Sequence, residues 1–116
     1  MLIIKSQAEF QLGLTKCIYE ELNLYVDCSY YLAYNTIDFS IMIYDNKNLT
    51  LTQASTKLKK YLANKFELTK KHLDYYETNQ VSTNNGIKKQ TRRILSYKVS
   101  EEKLNEIESL LLINGY

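Results

Sequence analysis

Few side chains in this sequence are suited to acid–base chemistry. His72 is the only histidine, and it lies two residues before Asp74. On a β-strand two such side chains share a face, so the pair, with Lys98 nearby, could act as acid and base on a phosphodiester. A lone histidine at the start of a strand is far more often structural or solvated. We therefore expect a protein that is not an enzyme, and a small His-dependent nuclease is a distant third hypothesis.

Metal and cofactor chemistry has equally little support. Cys17 and Cys28 are the two cysteines, and together with one histidine they are too few ligands for a zinc site. No nucleophile elbow, Walker loop or dinucleotide-binding fingerprint occurs. We expect no cofactor and no metal. Because the chain has no recognisable secretory signal, the cysteines are expected to be buried, reduced thiols rather than a disulfide.

Positive charge is concentrated in the middle of the chain. Residues 51–99 carry 11 Lys and Arg against 3 Asp and Glu, a local charge of +8, whereas the whole chain is only +2. Residues 1–50 and residues 100–116 are each at −3. A basic block between acidic flanks gives the folded protein a polar field that attracts acidic partners.

The leading hypothesis places a binding surface on this basic block. Two stretches contribute, a helix with its exit and the last strand of a hairpin, and the candidate residues are Lys57, Lys60, Lys70, Lys71, Lys88, Lys89, Arg92 and Arg93. They would engage nucleic acid or a nucleoprotein enzyme. Since only 2 of the 15 cations are Arg, phosphate neutralisation is favoured over base-specific contacts. DNA and RNA are not distinguished, and the bland interpretation is a solvated lysine-rich face.

The alternative hypothesis is a protein-binding inhibitor or regulator, in which a homodimer is one option. Tyrosine supplies large contact area at low entropic cost, and the chain has 11 tyrosines. One face of a predicted hairpin gathers aromatic and acidic residues, of which the binding candidates are Asp27, Tyr31, Asp38 and Tyr44. An acidic, aromatic sheet face of this kind could mimic nucleic acid. The bland interpretation is that strands simply favour tyrosine.

Three segments have the capping residues and apolar spacing of helices. A capping box at Ser6–Glu9 precedes Phe10, Leu14, Ile18 and Leu22, which recur every four residues. A second box, Thr50 with Gln53, precedes a stripe that runs to Phe66. Ser100 is the predicted N-cap of the third helix, and Asn114-Gly115 is its predicted end.

Two hairpins are predicted between these helices. The first runs from Leu24 to Tyr44 around Asn35-Thr36 and pairs Leu32 with Phe39, which makes one face wholly apolar. The second surrounds Asn84-Asn85-Gly86. A three-residue loop that pairs Glu77 with Arg93 is preferred over a two-residue loop, because it matches apolar with apolar and opposes unlike charges.

These elements predict a single α+β domain over residues 1–116. Its order is α-ββ-α-ββ-α, with an antiparallel sheet of two hairpins and helices packed on one face in two layers. Leu2-Ile3-Ile4 is a candidate for a short additional strand. No apolar run reaches the length of a membrane span, so we expect a cytoplasmic protein with no membrane partner. The Lys, Tyr and Asn bias is typical of AT-rich genomes, which favours a phage or mobile-element origin.

Overall fold

The computed structural model describes residues 7–33, 36–45, 48–69 and 76–116. Within these ranges, only the backbone is described for residues 7–8, 33, 76–84 and 87–91. The elements are α1 (Gln7–Leu22), β1 (Val26–Ala33), β2 (Thr36–Tyr44), α2 (Leu51–Phe66), β3 (Tyr76–Asn84), β4 (Ile87–Val99) and α3 (Glu101–Ile113). The class is therefore α+β, with an antiparallel sheet and three helices, as predicted. Leu2-Ile3-Ile4 and Ser6 lie outside the described residues.

Two helices begin at the predicted caps. The Thr50 hydroxyl accepts from the Gln53 amide at 3.1 Å, and the Gln53 side chain accepts from the Thr50 amide at 2.9 Å. The Ser100 hydroxyl accepts from the Lys103 amide at 3.1 Å. A cap of this kind stabilises a helix by about 1 kcal/mol, because it satisfies amides that have no partner inside the helix.

The strands within the described residues form a four-stranded antiparallel sheet in the order β1-β2-β4-β3. Thus β2 pairs with β1 on one side and with β4 on the other, and β1 is an edge strand of the sheet that the described residues form. Burial alternates strictly along β2, where every second side chain enters the core. The core face of the sheet includes Tyr30, Phe39, Ile41, Leu95 and Tyr97.

The buried side chains of the helices join the same cluster. α1 contributes Phe10, Leu14, Cys17 and Ile18 to it, and α3 contributes Leu104, Ile107 and Leu111. Cys17 and Cys28 are both buried and unbridged, as expected for reduced thiols. The predicted apolar stripe of α1 thus provides its buried face: Phe10, Leu14 and Ile18 are all in the core.

The predicted register of the first hairpin is wrong by two residues. Leu32 lies opposite Ile37 rather than Phe39, and Cys28 lies opposite Ile41. A slip of two residues leaves every side chain on its predicted face, so burial does not distinguish the two registers. Leu32, one residue before the end of β1, is on the predicted apolar face but is 68% exposed.

The preferred register between β3 and β4 is also wrong. Asn84 lies opposite Ile87 across a two-residue Asn85-Gly86 turn, with positive φ at both turn residues. These are the angles that a tight hairpin turn demands. The register then shifts between Gln80 and Val81, so that Glu77 lies opposite Leu95 rather than Arg93. A register shift of this kind cannot be predicted by matching residue types across two strands.

Candidate binding surface on the open sheet face

One face of the sheet carries the side chains that do not enter the core. Alternate residues of β1, β2 and β4 form this open face: Asp27, Ser29, Tyr31, Asp38, Ser40, Met42, Tyr44, Arg92, Ile94, Ser96 and Lys98. Tyr31 is 66% exposed, and most of the others are partly accessible. All four members of the predicted tyrosine–acid set are therefore on this surface.

A shallow groove of about 250 Å³ crosses the middle of the open face. Its floor is formed by Met42 and Ile94, and Ser40 and Ser96 are joined by a hydroxyl–hydroxyl hydrogen bond of 3.1 Å. Ser29, Asp27 and Tyr31 form its β1 side. Serines of this kind can hydrogen-bond a ligand, but among the described residues no histidine lies beside them to act as a base.

Tyr44, Asp27 and Arg92 form a cluster at one end of the groove. The Tyr44 hydroxyl donates to Oδ2 of Asp27, and the Arg92 guanidinium carbon is 5.1 Å from the centroid of the Tyr44 ring. The hydrogen bond to the Asp27 carboxylate raises the pKa of Tyr44, because it stabilises the protonated phenol. The phenol is held between an anion and a cation, so its position is fixed in advance.

A second polar row lies at the opposite end of the groove. Tyr31 is opposite Asp38, and Asp38 is in turn opposite Lys98 on β4. Counted over the described open-face side chains, two carboxylates are therefore matched by two cations, Arg92 and Lys98. This part of the surface is charge-balanced rather than acidic, and its anions lie on β1 and β2 while its cations lie on β4.

The predicted basic set does not converge on one surface. Adjacent residues of a strand point to opposite faces, so Arg92 is on the open face and Arg93 is on the helix side, where its Nη1 donates to Oγ1 of Thr52 at 3.2 Å. Lys57 Nζ donates to the Leu22 carbonyl at the end of α1 at 3.1 Å, and Lys60 is exposed on the same helix as Lys57.

Two more members of the basic set lie on the β3–β4 pair. Lys88 and Lys89 lie on β4 next to the turn, whereas Lys70, Lys71, His72 and Asp74 are outside the described residues. The pairing of β4 with β2 spans 92–99 only, so 87–90 pair with β3 alone and residue 91 lies at the register shift. At about 3.3 Å per residue, this two-stranded ribbon extends roughly 16 Å beyond the β2 pairing.

Sequence reasoning missed the contact between Arg92 and Tyr44. It assigned Arg92 to a nucleic-acid surface and Tyr44 to a protein surface, and the two lie directly opposite one another across β2 and β4. The alternation of Arg92 and Arg93 was the available signal. Alternation shows that the two arginines point to opposite faces of the sheet. Unless the strand that pairs with β4 is known, it does not show which of them lies on the same face as Tyr44.

The comparisons with known proteins give no relative. No protein-family model, curated protein or solved structure matches the chain. Over the described residues, no group of three His, Cys, Asp or Glu side chains is placed to hold a metal ion. The helices within those residues also include none that is long and apolar enough to cross a membrane.

Proposed function

We propose that this chain is a small non-enzymatic protein-binding module, built in two layers, that recognises its partner through the open sheet face. The observation that carries the proposal is the uncovered sheet surface with Tyr31 exposed at 66% and Arg92, Tyr44 and Asp27 held in one cluster. An inhibitor or regulator of phage or mobile-element origin, acting in the cytoplasm, is the biological role that we infer.

The composition of the open face supports this proposal. Tyrosine, methionine and arginine are the residues in which protein interfaces are enriched, and the face presents Tyr31, Tyr44, Met42 and Arg92 together. Binding normally costs free energy to order such side chains. The contacts of Tyr44 with Asp27 and Arg92 lower that cost, because the ring is already positioned.

The distribution of charge suggests the chemistry of the partner. A complementary surface would present cations toward Asp27 and Asp38 and anions toward Arg92 and Lys98, with an apolar side chain for the groove above Met42. This arrangement favours a folded protein partner with mixed charges over the cationic groove that a nucleic-acid mimic would occupy.

The test is affinity capture with three versions of the protein. We expect Tyr31→Ala combined with Arg92→Ala to reduce recovery of the partner by about 30-fold, the effect of losing roughly 2 kcal/mol at an interface centre. Lys60→Ala is the matched control, since this residue is exposed on a helix away from the open face. The proposal is wrong if the double variant and the control recover the same partner equally, or if the wild-type protein captures none.

Nucleic-acid binding is the second candidate, and the β3–β4 ribbon favours it. The backbone of this ribbon extends beyond β2 and carries Lys88 and Lys89, with Arg92 at its base. Two-stranded ribbons of this shape enter the major groove of DNA. The dispersal of Lys57, Arg92 and Arg93 over two sides of the sheet is the reason that we rank it second.

Salt dependence decides the nucleic-acid candidate. If the ribbon binds phosphates, affinity for a mixed DNA and RNA pool should fall steeply between low and high salt. Lys88→Ala with Lys89→Ala should lower the slope of log affinity against log salt by about 2, roughly one for each phosphate contact. Lys16→Ala is the control, because this lysine is exposed on α1 and is not a member of the basic set. Absence of binding at low salt would reject this candidate.

A further inference from the structure

The outer edge of β1 presents backbone groups away from β2. The Tyr44 amide donates to the Tyr25 carbonyl at 3.2 Å, which makes these directly opposed residues a hydrogen-bonded pair. Such pairs alternate along an antiparallel ladder. Odd-numbered residues of β1 therefore bond to β2, and even-numbered ones, such as Val26 and Leu32, direct their backbone groups to the outer edge. Among the described strands, β1 pairs with β2 alone.

Three of the features by which proteins protect edge strands do not occur in the described strand β1. Lysine, proline and bulges discourage pairing with another chain. β1 contains neither lysine nor proline, and its pairing with β2 runs without a register shift. Its one charged residue is Asp27. Near its end, Tyr31 and Leu32 are 66% and 68% exposed although they point to opposite faces of the sheet.

We propose that β1 pairs antiparallel with β1 of a second copy of this chain, about a two-fold axis at Ser29. This register sets the outward-directed backbone of Leu32 opposite that of Val26 in the second copy. On the helix side of the sheet, the exposed Leu32 side chain then gains an apolar neighbour. On the open face, Ser29 meets Ser29 and Tyr31 lies opposite Asp27 of the second copy.

The pairing of Tyr31 with Asp27 has a precedent within the chain. Asp27 already accepts a hydrogen bond from the Tyr44 hydroxyl. An ionised carboxylate has two oxygens with about four acceptor sites, so it can accept a second phenol at the same time. One symmetric register thus provides a partner for the exposed tyrosine and for the exposed leucine. The dimer shares the side chains of Tyr31 and Asp27 with the proposed function, but its backbone pairing uses the strand edge. Leu32 lies on the helix side of the sheet, so a Leu32 variant separates failure of the dimer from failure of the proposed function.

A disulfide tests the register directly. In this pairing Ser29 and its symmetry mate form a non-hydrogen-bonded pair, with Cα atoms about 4.5 Å apart, inside the range that a disulfide spans. We expect Ser29→Cys, under mild oxidation, to run on a non-reducing gel at twice the chain mass of 13.7 kDa. Ser40→Cys is the matched control, because it lies in the same row on an interior strand. Equal crosslinking of the two variants would overturn the proposal.

Sedimentation equilibrium tests the association itself. The wild-type protein should have twice the mass of the 13.7 kDa chain. Leu32→Lys should weaken association at least tenfold, since it places a charge beside Val26 of the second copy. Leu12→Lys changes an equally exposed leucine, 70% accessible on α1, and should leave the dimer intact. Circular dichroism establishes that both variants are folded. A monomeric wild-type protein, including one whose edge binds a segment of another protein, or a Leu32→Lys variant that remains dimeric, would overturn the proposal.

Discussion

Replacing Phe10 by alanine is expected to lower the free energy of unfolding by about 3–5 kcal/mol, the usual cost of removing a buried phenylalanine. Phe10 is 1% exposed and joins α1 to the sheet. Its ring meets Tyr30 and Phe39 edge to face, with centroids 5.5 and 6.2 Å away. Since domains of this size are stable by roughly 5–15 kcal/mol, the loss should be a large fraction of the total.

Urea unfolding measures the effect of Phe10→Ala, and Leu12→Ala is its control. Leu12 lies two residues further along α1 and is 70% exposed, so its replacement should change stability by about 0.5 kcal/mol or less. Similar losses in the two variants would mean that α1 does not pack through its predicted apolar stripe.

Alkaline pH is expected to unfold the protein well before the lysines are fully deprotonated. Burial raises the pKa of the Cys28 thiol from its ordinary 9.0 to about 12, because the apolar core disfavours the thiolate. The native state therefore keeps a proton that the unfolded chain loses. Stability is fully present below pH 9 and falls between pH 9 and pH 12, at about 1.4 kcal/mol per pH unit for this one group.

The comparison of wild type with Cys28→Ala isolates the thiol. The alanine variant starts from a lower stability at neutral pH because it leaves a small cavity, but its free energy of unfolding should fall less steeply between pH 9 and pH 10. Burial also raises the pKa of Tyr30 and Tyr61, whose ordinary value is 10.0, so both proteins should lose stability at higher pH. Equal slopes for the two proteins in the lower window would contradict the assignment to Cys28.

The local features of the fold could be predicted because each depends on neighbouring residues. Thr50 and Gln53 are three residues apart, and their reciprocal hydrogen bonds need nothing from the rest of the chain. The core faces of β1 and β2 could be predicted for a similar reason, since alternation alone assigns Phe39 and Ile41 to the buried side. The register between β1 and β2 could not be predicted, because a slip of two residues buries the same side chains.

The candidate site could be predicted only in its parts. Asp27, Tyr31, Asp38 and Tyr44 were assigned to one face from alternation along a hairpin. Arg92 and Lys98 lie on that face because β4 pairs with β2, and no local sequence pattern specifies this pairing. The surface that was expected to be acidic therefore carries equal numbers of positive and negative side chains among its described residues. Its cations come from the strand that was expected to bind nucleic acid.

The pairing of β2 with β4 also bears on how the protein folds as it is synthesised. Ser40 and Ser96 contact each other across 56 residues of chain, so the centre of the sheet closes a long loop. Contacts of such sequence separation form slowly, since the entropy of the loop is lost before the contact stabilises anything. During translation, β1 and β2 emerge before β4 exists. For that interval, the inner edge of β2 is also open, and a newly made chain has two edges at which it can pair with a neighbour on the same messenger.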